Sequence, residues 1–314
     1  MDLLSRVIDE LGLRRASFRR FHLTEPQWGL SYAEGVQGMH VVERGTCMLR
    51  LGSTTILVEP GDLLILMGGT KHELHAAGRR RPPVSAQALL EAHRGAGPVI
   101  LGRPSAPPVG ELVCGGFGLE AKDHPVLSSL PPVIHVRRAQ LRESARLGGW
   151  VDALIDEITN PTAGSDALVA RLSELILVGA LRLQGQRLGT ECPSGGWFRG
   201  LNDASLARAL SAFHQQVSEA WTVEKLAQEA GQSRSVFAAR FNTVMGETPI
   251  GYVTRWRMFH ARRLLRTTRD SLGEIAAQVG YGSAPALSLA FHRAHALTPG
   301  EYRQQQTPTL ERPR

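Results

Sequence analysis

The sequence predicts a multidomain chain in three parts: an N-terminal all-β barrel, a helical connector and a C-terminal all-α domain with two helix–turn–helix units. Three observations predict it. Apolar residues in the first part fall in short runs split by glycine turns, past residue 141 they recur every three to four positions, and the last third contains one segment twice. The length of 314 residues is about twice that of a usual domain, which agrees with a multidomain chain.

Residues 1–140 form the β part. Met39–Glu43, Cys47–Leu51, Thr54–Val58 and Leu63–Met67 are rich in Val, Ile and Leu and separated by glycine-containing turns, as in a small barrel or double sheet. Arg79–Pro83 reads as an exposed basic loop. Val84–Leu101 fits either a strand or a helix around Ala86–Ala92. Residues 141–204 form the connector. Trp150, Ala153, Leu154 and Ile158, then Leu168, Leu172, Leu175, Ile176 and Leu183, make two amphipathic stripes separated by Pro161–Ser165. Such stripes need a cover, which is either their own sheet or a second copy in a homodimer. Gln184–Gly200 has no periodicity and reads as the interdomain linker.

Composition narrows the function classes. With 42% hydrophobic and 21% charged residues, the chain is globular rather than disordered. No apolar run approaches the ~18 residues of a membrane span, and Met1–Arg20 lacks the apolar core of a signal peptide. Cys47, Cys114 and Cys192 are too few and too scattered for a disulfide framework. A reduced, cytoplasmic protein is expected. Residues 205–314 hold 14 Lys/Arg against 8 Asp/Glu, net +6 of the chain's +7, so the basic excess sits on the last third and points to a polyanionic partner.

The repeat carries the strongest signal. Leu226–Ala227, Ala230–Gly231, Ser233, Phe237, Phe241, Thr248–Pro249 and Tyr252 recur as Ile275–Ala276, Val279–Gly280, Ser283, Leu287, Phe291, Thr298–Pro299 and Tyr302. The offset is 49 residues up to Gly231/Gly280 and 50 from Ser233/Ser283 onward. Each copy reads as helix–turn–helix, at 223–244 and 272–295 within a domain spanning 205–305. Thr222 caps the first helix of one copy, and Ser271 with Glu274 boxes that of the other. Gly231 and Gly280 end these helices, Ser233 and Ser283 cap the next ones, and Pro249 and Pro299 start the helices that follow. Ile250–Leu265 reads as one connecting helix bearing Arg255, Arg257, Arg262 and Arg263. Residues 306–314 read as a disordered tail. Two such units on one rigid helix would set two recognition helices ~34 Å apart along double-stranded DNA.

The stretches WTVEKLAQEAGQSRSVFAARFNTVMGETPIGYV, WRMFHARRLL and LGEIAAQVGYGSAPALSLAFHRAHALTPGEYR resemble the DNA-binding domain of the AraC/XylS family of bacterial transcription regulators over residues 206–304. The resemblance implies a sequence-specific regulator with two units in successive major grooves and an N-terminal sensor for a small-molecule or redox effector. It also implies homodimers formed through the N-terminal part, and contact with RNA polymerase in an activator.

In the first reading helix, Val236, Phe237, Phe241 and Val244 are expected inward, with Ser235, Ala238, Ala239 and Asn242 outward. The family places base contacts at Ser235, Ala238 and Ala239, and the flanking Arg234 and Arg240 supply polar candidates. In the second, Pro285, Ser288, Leu289 and His292 are outward, and Leu289 stands where the family often has arginine. This half is expected to dock through phosphates, using Arg293, Arg303 and helix N-termini. Arg262, Arg263 and Arg269 are expected either on DNA or on a solvated helix face. Ala296 replaces a usual glycine.

The N-terminal part is similar to a cupin-type regulatory domain. Gly61–Asp62 through Met67, Gly69 and His72 resembles the second cupin motif, while the paired histidines of the first motif are missing. Further donors are His40, His75, Cys114 and His135. A rearranged site of His40, His72 and Cys114 would suit Zn or another divalent metal. The alternative is a barrel whose histidines are core or loop residues. A cupin-fold metal-dependent enzyme carrying a DNA-binding tail is the second function class.

Overall fold

The computed structural model describes residues 2–35, 37–78, 81–93, 95, 97–191 and 196–306. Cys192, Arg79, Arg80 and residues 307–314 of the tail expected over 306–314 lie outside the described residues, while Gln306 is the last residue of a helix. Contacts divide the chain into two units, one of residues 8–122 with 130–184 and the other of residues 1–7, 123–129 and 185–314. Against the boundaries expected at 140 and 204, the helices up to 184 group with the strands, and 1–7 and 123–129 group with the C-terminal helices.

The β-rich unit follows α1 (Leu3–Leu11) and contains eleven described strands: β1 (Leu13–Leu23), β2 (Gly29–Tyr32), β3 (Gln37–Arg44), β4 (Cys47–Leu51), β5 (Thr54–Val58), β6 (Leu63–Leu66), β7 (His72–Ala76), β8 (Val84–Ser85), β9 (Val99–Leu101), β10 (Gly110–Leu119) and β11 (Ile134–Val136). They form a six-stranded sheet, β11-β6-β3-β10-β1-β9, and a five-stranded sheet, β5-β4-β7-β2-β8. The expected barrel is therefore corrected to a double sheet that does not close. Its core joins Phe21, Leu23, Val42, Leu64, Leu66 and Leu112 of the first sheet with Leu30, Leu49, Val58 and Leu74 of the second. The β6 run Leu-Leu-Ile-Leu is wholly buried, as a strand covered on both faces requires.

Ser85 accepts from Ala88 N–H at 3.3 Å and starts α2 (Ala86–Ala92), so the ambiguous stretch is strand, helix and strand in turn. After α3 (Arg138–Glu143), the connector forms α4 (Ala145–Thr159) and α5 (Ser165–Glu191). Leu147, Val151 and Leu154 on α4 are buried, as are Ile176, Leu177 and Ala180 on α5. A Cβ on Gly179 would sit 2.9 Å from the Leu147 side chain, so glycine lets these helices approach closely. Leu168 and Leu175, one heptad apart, stay 50% and 41% exposed. The expected own-sheet cover is seen for α4, which packs on β1, and Leu168 and Leu175 of α5 stay open.

The helical unit comprises α6 (Gly196–Asn202), α7 (Ala204–Gln215), α8 (Val223–Ala230), α9 (Arg234–Met245), α10 (Pro249–Thr267), α11 (Leu272–Gln278), α12 (Ala284–His295) and α13 (Pro299–Gln306). The aperiodic stretch expected as a linker is helical on both sides of the undescribed 192–195. The core gathers Trp197, Phe213, Phe237, Phe241, Tyr252 and Trp256, all buried. Trp197 Nε1–H donates to the Tyr252 hydroxyl at 3.2 Å, which also bonds His214 Nε2 at 2.7 Å. A second cluster of Met258, Ala261, Leu265, Ile275, Leu287 and Phe291 supports the second repeat.

Candidate nucleic-acid interface

The first helix–turn–helix is α8–α9. Thr222 accepts from Lys225 N–H at 3.2 Å and starts α8, and Gly231 ends it at φ +67°, in the left-handed region that glycine enters freely. Phe237, Phe241 and Met245 seat α9. Val236 was expected to point inward but is 56% exposed, and Met245 completes the buried face where Val244 was expected. Phe237, Phe241 and Met245 recur every four residues on the buried face, and Val236 lies about 100° around the helix from Phe237. Arg234, Ser235, Ala239 and Asn242 are exposed, and Ala238 is half-buried at the edge. Ser233 makes no side-chain capping bond, so its expected capping role is not realised.

The two cations of this helix are already engaged. Arg234 Nε lies 2.7 Å from Glu224. Arg240 places Nη2 at 2.6 Å and Nε at 2.7 Å from Asp203 Oδ2, an intramolecular anchor between α9 and the start of α7. Asp203 in turn caps α7 by accepting from Ser205 and Leu206 N–H at 3.1 Å each. Burial raises the tendency of Asp203 to hold a proton, but the Leu206 N–H and the Arg240 guanidinium outweigh it and hold the carboxyl below its ordinary range.

In the second unit, Ser271 and Glu274 form the expected capping box, and Ser283 accepts from Ala286 N–H at 3.3 Å to start α12. Leu287 and Phe291 are buried. Pro285, Leu289, His292 and Arg293 are exposed, with Leu289 at 56%, and Ser288 is half-buried. Arg293 has no ion pair among the described residues. Ala296 ends α12 at φ +56°, the one non-glycine with positive φ among the described residues.

Other arginines serve the fold. Arg303, expected at a phosphate, donates to the carbonyls of Asp270 at 2.7 Å and Leu265 at 3.3 Å. Arg257 donates to Val217 O at 3.0 Å, and Arg208 to Ala230 O at 2.6 Å. Arg255 pairs with Glu247 and reaches Pro125 O at 3.0 Å, and Arg262 pairs with Asp123. Arg262 is therefore half-buried and paired rather than on a solvated face, whereas Arg263 and Arg269 are exposed. His124 stacks edge-on to Trp256 and Phe259, with centroids 5.0 and 4.7 Å away. No motif in the sequence marked the 123–129 segment.

In the β-rich unit, His40, His72 and Cys114 are buried, and Nε2 of His40 stands 2.9 Å from Nε2 of His72. His75 bonds its neighbour's carbonyl, Ala76 O, at 3.0 Å, and His135 bonds Asp62 at 2.8 Å. Asp62 also accepts from Arg138 N–H at 2.8 Å and Glu59 N–H at 3.1 Å, so it ties the β5–β6 turn to α3 and engages His135 there. Among the described residues, no three His, Cys, Asp or Glu side chains already stand in a metal-holding group. Tyr32, which sequence reasoning did not single out, stacks on His72 with centroids 4.7 Å apart and planes 5° apart.

Two helix–turn–helix units with exposed outer faces, in the basic end of the chain and preceded by a β-rich unit, define a DNA-binding transcription regulator. Residues 2–184 match a cupin family model, and residues 226–305 match a helix-turn-helix domain model. The chain is 32% identical over 285 residues to a protein of Streptomyces lividans named as an AraC-like transcription regulator, covering 90% of this chain and 91% of the relative. It is 28% identical over 319 residues to the HTH-type transcriptional regulator AlkR of Acinetobacter baylyi, covering 97% and 100%. Among solved structures, the DNA-binding domain of AdpA in complex with a target DNA is 32% identical, with a TM-score of 0.31, covering 32% of this chain and 89% of that one. The chain belongs to the AraC-like transcription regulators that carry an N-terminal cupin domain. These relatives give the enzyme alternative no support.

Proposed function

We propose that the protein binds double-stranded DNA with α9 and α12 in successive major grooves and that the β-rich unit is its sensor. The observation that carries this reading is the duplicated helix–turn–helix whose outer faces are left open, with Ser235, Ala239 and Asn242 on one helix and Leu289, His292 and Arg293 on the other. The exposed apolar side chains Val236, Ala239 and Leu289 suit thymine methyl groups, which are read in the major groove by apolar contact. Arg293, Arg263 and Arg269 are exposed and supply phosphate contacts, which position the protein without specifying sequence.

Leu168 and Leu175 form the exposed apolar seam through which two copies pair as a homodimer. RNA polymerase is the further partner where the bound site lies beside a promoter and the protein activates. No described helix is long and apolar enough to cross a membrane, and the cytoplasm is the compartment where this reading operates. The test is selection of duplex DNA from a random pool by the full chain, followed by footprinting. One enriched motif with two protected half-sites about 10–10.5 base pairs apart supports the reading. A flat profile contradicts it.

A further inference from the structure

The two helix–turn–helix copies carry an arginine at the same place in the repeat, and the two arginines are used differently. Arg208 and Arg257 are 49 residues apart, the offset of the stop glycines Gly231 and Gly280, and each guanidinium lies against the glycine of its own copy. A Cβ on Gly231 would sit 3.2 Å from Arg208 Nη2, and one on Gly280 would sit 2.7 Å from Arg257 Cζ. Arg208 keeps its donors inside the first unit, on Ala230 O at 2.6 Å and Glu229 O at 3.3 Å. Arg257 reaches out of its own copy. Its Nη2 and Nε donate to Val217 O at 3.0 and 3.2 Å, and Nη2 also donates to Glu219 O, both in the loop that leads into α8. The same guanidinium lies 5.8 Å from the ring centroid of Tyr281, in the turn between α11 and α12.

Arg257 is therefore a tie between the copies. Both pairs pack on α10, and Arg257 stands in sequence between Trp256, in the first core, and Met258, in the second. The backbones also meet here: a Cβ on Gly280 would sit 2.8 Å from Ser218 O, so the turn of the second unit presses on the loop of the first. That loop is itself braced. Trp221 Nε1–H donates to Gln216 O at 2.8 Å, and Lys225 of α8 pairs with Glu219 at 2.9 Å. A guanidinium that holds both the braced loop and the Tyr281 turn fixes the angle between α8–α9 and α11–α12. The helix α10 by itself leaves that angle softer, because long helices curve.

We propose that Arg257 is the positioning residue that sets the half-site spacing the protein accepts on DNA. The proposal rests on the reading of α9 and α12 in successive major grooves. Moving one half-site by a base pair displaces it by about 3.4 Å along the duplex and turns it by about 35° around the axis. The protein follows by changing the angle between its units, and that motion breaks the tie from Arg257 to Val217 and Glu219. The cost of a wrong spacing thus contains the worth of the tie, and removing Arg257 removes that share. Base readout is untouched, because Arg257 is half-buried and lies on neither reading helix. Arg208, at the matching place of the first copy, holds only its own unit and has no share in the spacing.

The test is binding of the full-length protein to duplexes that carry its two selected half-sites at the selected spacing, or with one base pair inserted or deleted between them. For the wild type, a shift of one base pair weakens binding about tenfold or more, as a mismatched base pair does. Arg257→Ala is expected to lower that penalty by about two- to tenfold, the worth of one hydrogen bond, while base preference within each half-site stays as in the wild type. Arg208→Ala is expected to keep the wild-type penalty, although both variants lose stability. Circular dichroism identifies a variant that fails to fold. Tyr281→Ala, which removes the stacking surface and no donor to the loop, then takes the place of Arg257→Ala with the same relaxation expected. An unchanged spacing penalty in the folded variant overturns the proposal. Equal relaxation in Arg208→Ala does so too, since it would trace the effect to lost stability. A wild type indifferent to spacing overturns the two-groove reading itself, and the proposal with it.

Discussion

Arg240 and Asp203 are locked together: two nitrogens of one guanidinium lie 2.6 and 2.7 Å from a single carboxylate oxygen, and that carboxylate also caps α7. The most conspicuous cation of the first reading helix thus fastens α9 to α7. Asp203→Ala removes a cap and an anchor together, and the expected loss is about 1 kcal/mol for the cap, with little added by the half-exposed ion pair. Urea denaturation reads it as a lower midpoint at unchanged slope. Arg240→Ala, for its part, is expected to leave the preferred DNA sequence as it is. A changed base preference in that variant would return Arg240 to the DNA.

Asp203 and His214 both make stability depend on pH, and both in the acid direction. The Asp203 carboxyl is held below its unfolded value, so its contribution is present above the unfolded value near ~3.9 and is lost as pH falls through the folded one. His214 is pushed well below its ordinary value by burial first, and then by the neighbouring charges of His260, Arg6, His124 and Arg255. It is neutral in the fold, so the unfolded chain gains a proton first. Stability is full above about pH 6.5 and declines as pH drops below it. Thermal denaturation between pH 5 and 8 measures this, and a flat profile there would contradict the buried neutral imidazole.

Ala296 adopts φ +56°, where a Cβ is costly, while Gly246 at the matching place of the first repeat has φ +75°. Ala296→Gly is expected to stabilise the folded protein by about 0.5–1 kcal/mol, since the relief of left-handed strain exceeds the added entropy of the unfolded chain. A lower melting temperature in this variant would show that the cap is unstrained.

Leu168 and Leu175 are predicted to meet their counterparts in a second copy. The full-length chain is expected to sediment as a dimer, and Leu175→Arg as a monomer with unchanged circular dichroism. A variant that sediments as the wild type would place the interface elsewhere.

The repeat was legible because its signals are local. Caps, stop glycines and buried aromatics at an offset of 49 to 50 residues specify two helix pairs whatever surrounds them. What escaped the sequence depends on distant partners. The strand Leu13–Leu23 carries Arg14, Arg15, Arg19 and Arg20, which mask its alternation, and Arg20 is accommodated because Glu111 on the adjacent β10 lies 2.8 Å away and Glu43 on β3, one strand further, 2.9 Å away. Arg240 looked free because Asp203 belongs to another helix, and Arg303 because the carbonyls it serves lie more than thirty residues upstream. His40, His72 and Cys114 could be named as donors, but Tyr32 emerged only from strand register.

The two reading helices are predicted to differ in role, because α9 turns Ser235 and Ala239 outward while α12 offers exposed Pro285 and Leu289 beside Arg293, which has no ion pair among the described residues. The most direct measurement is the binding-site profile of the full-length protein, its Ala239→Arg variant and its Arg293→Ala variant, taken over a range of salt. Ala239→Arg should change base preference in one half-site, since a guanidinium fork adds about 1–3 kcal/mol of discrimination for guanine. Arg293→Ala should weaken all sequences alike and lower the salt slope by roughly one. An Arg293→Ala variant that relaxes preference at a single base, beside an Ala239→Arg variant with the wild-type profile, would contradict the account.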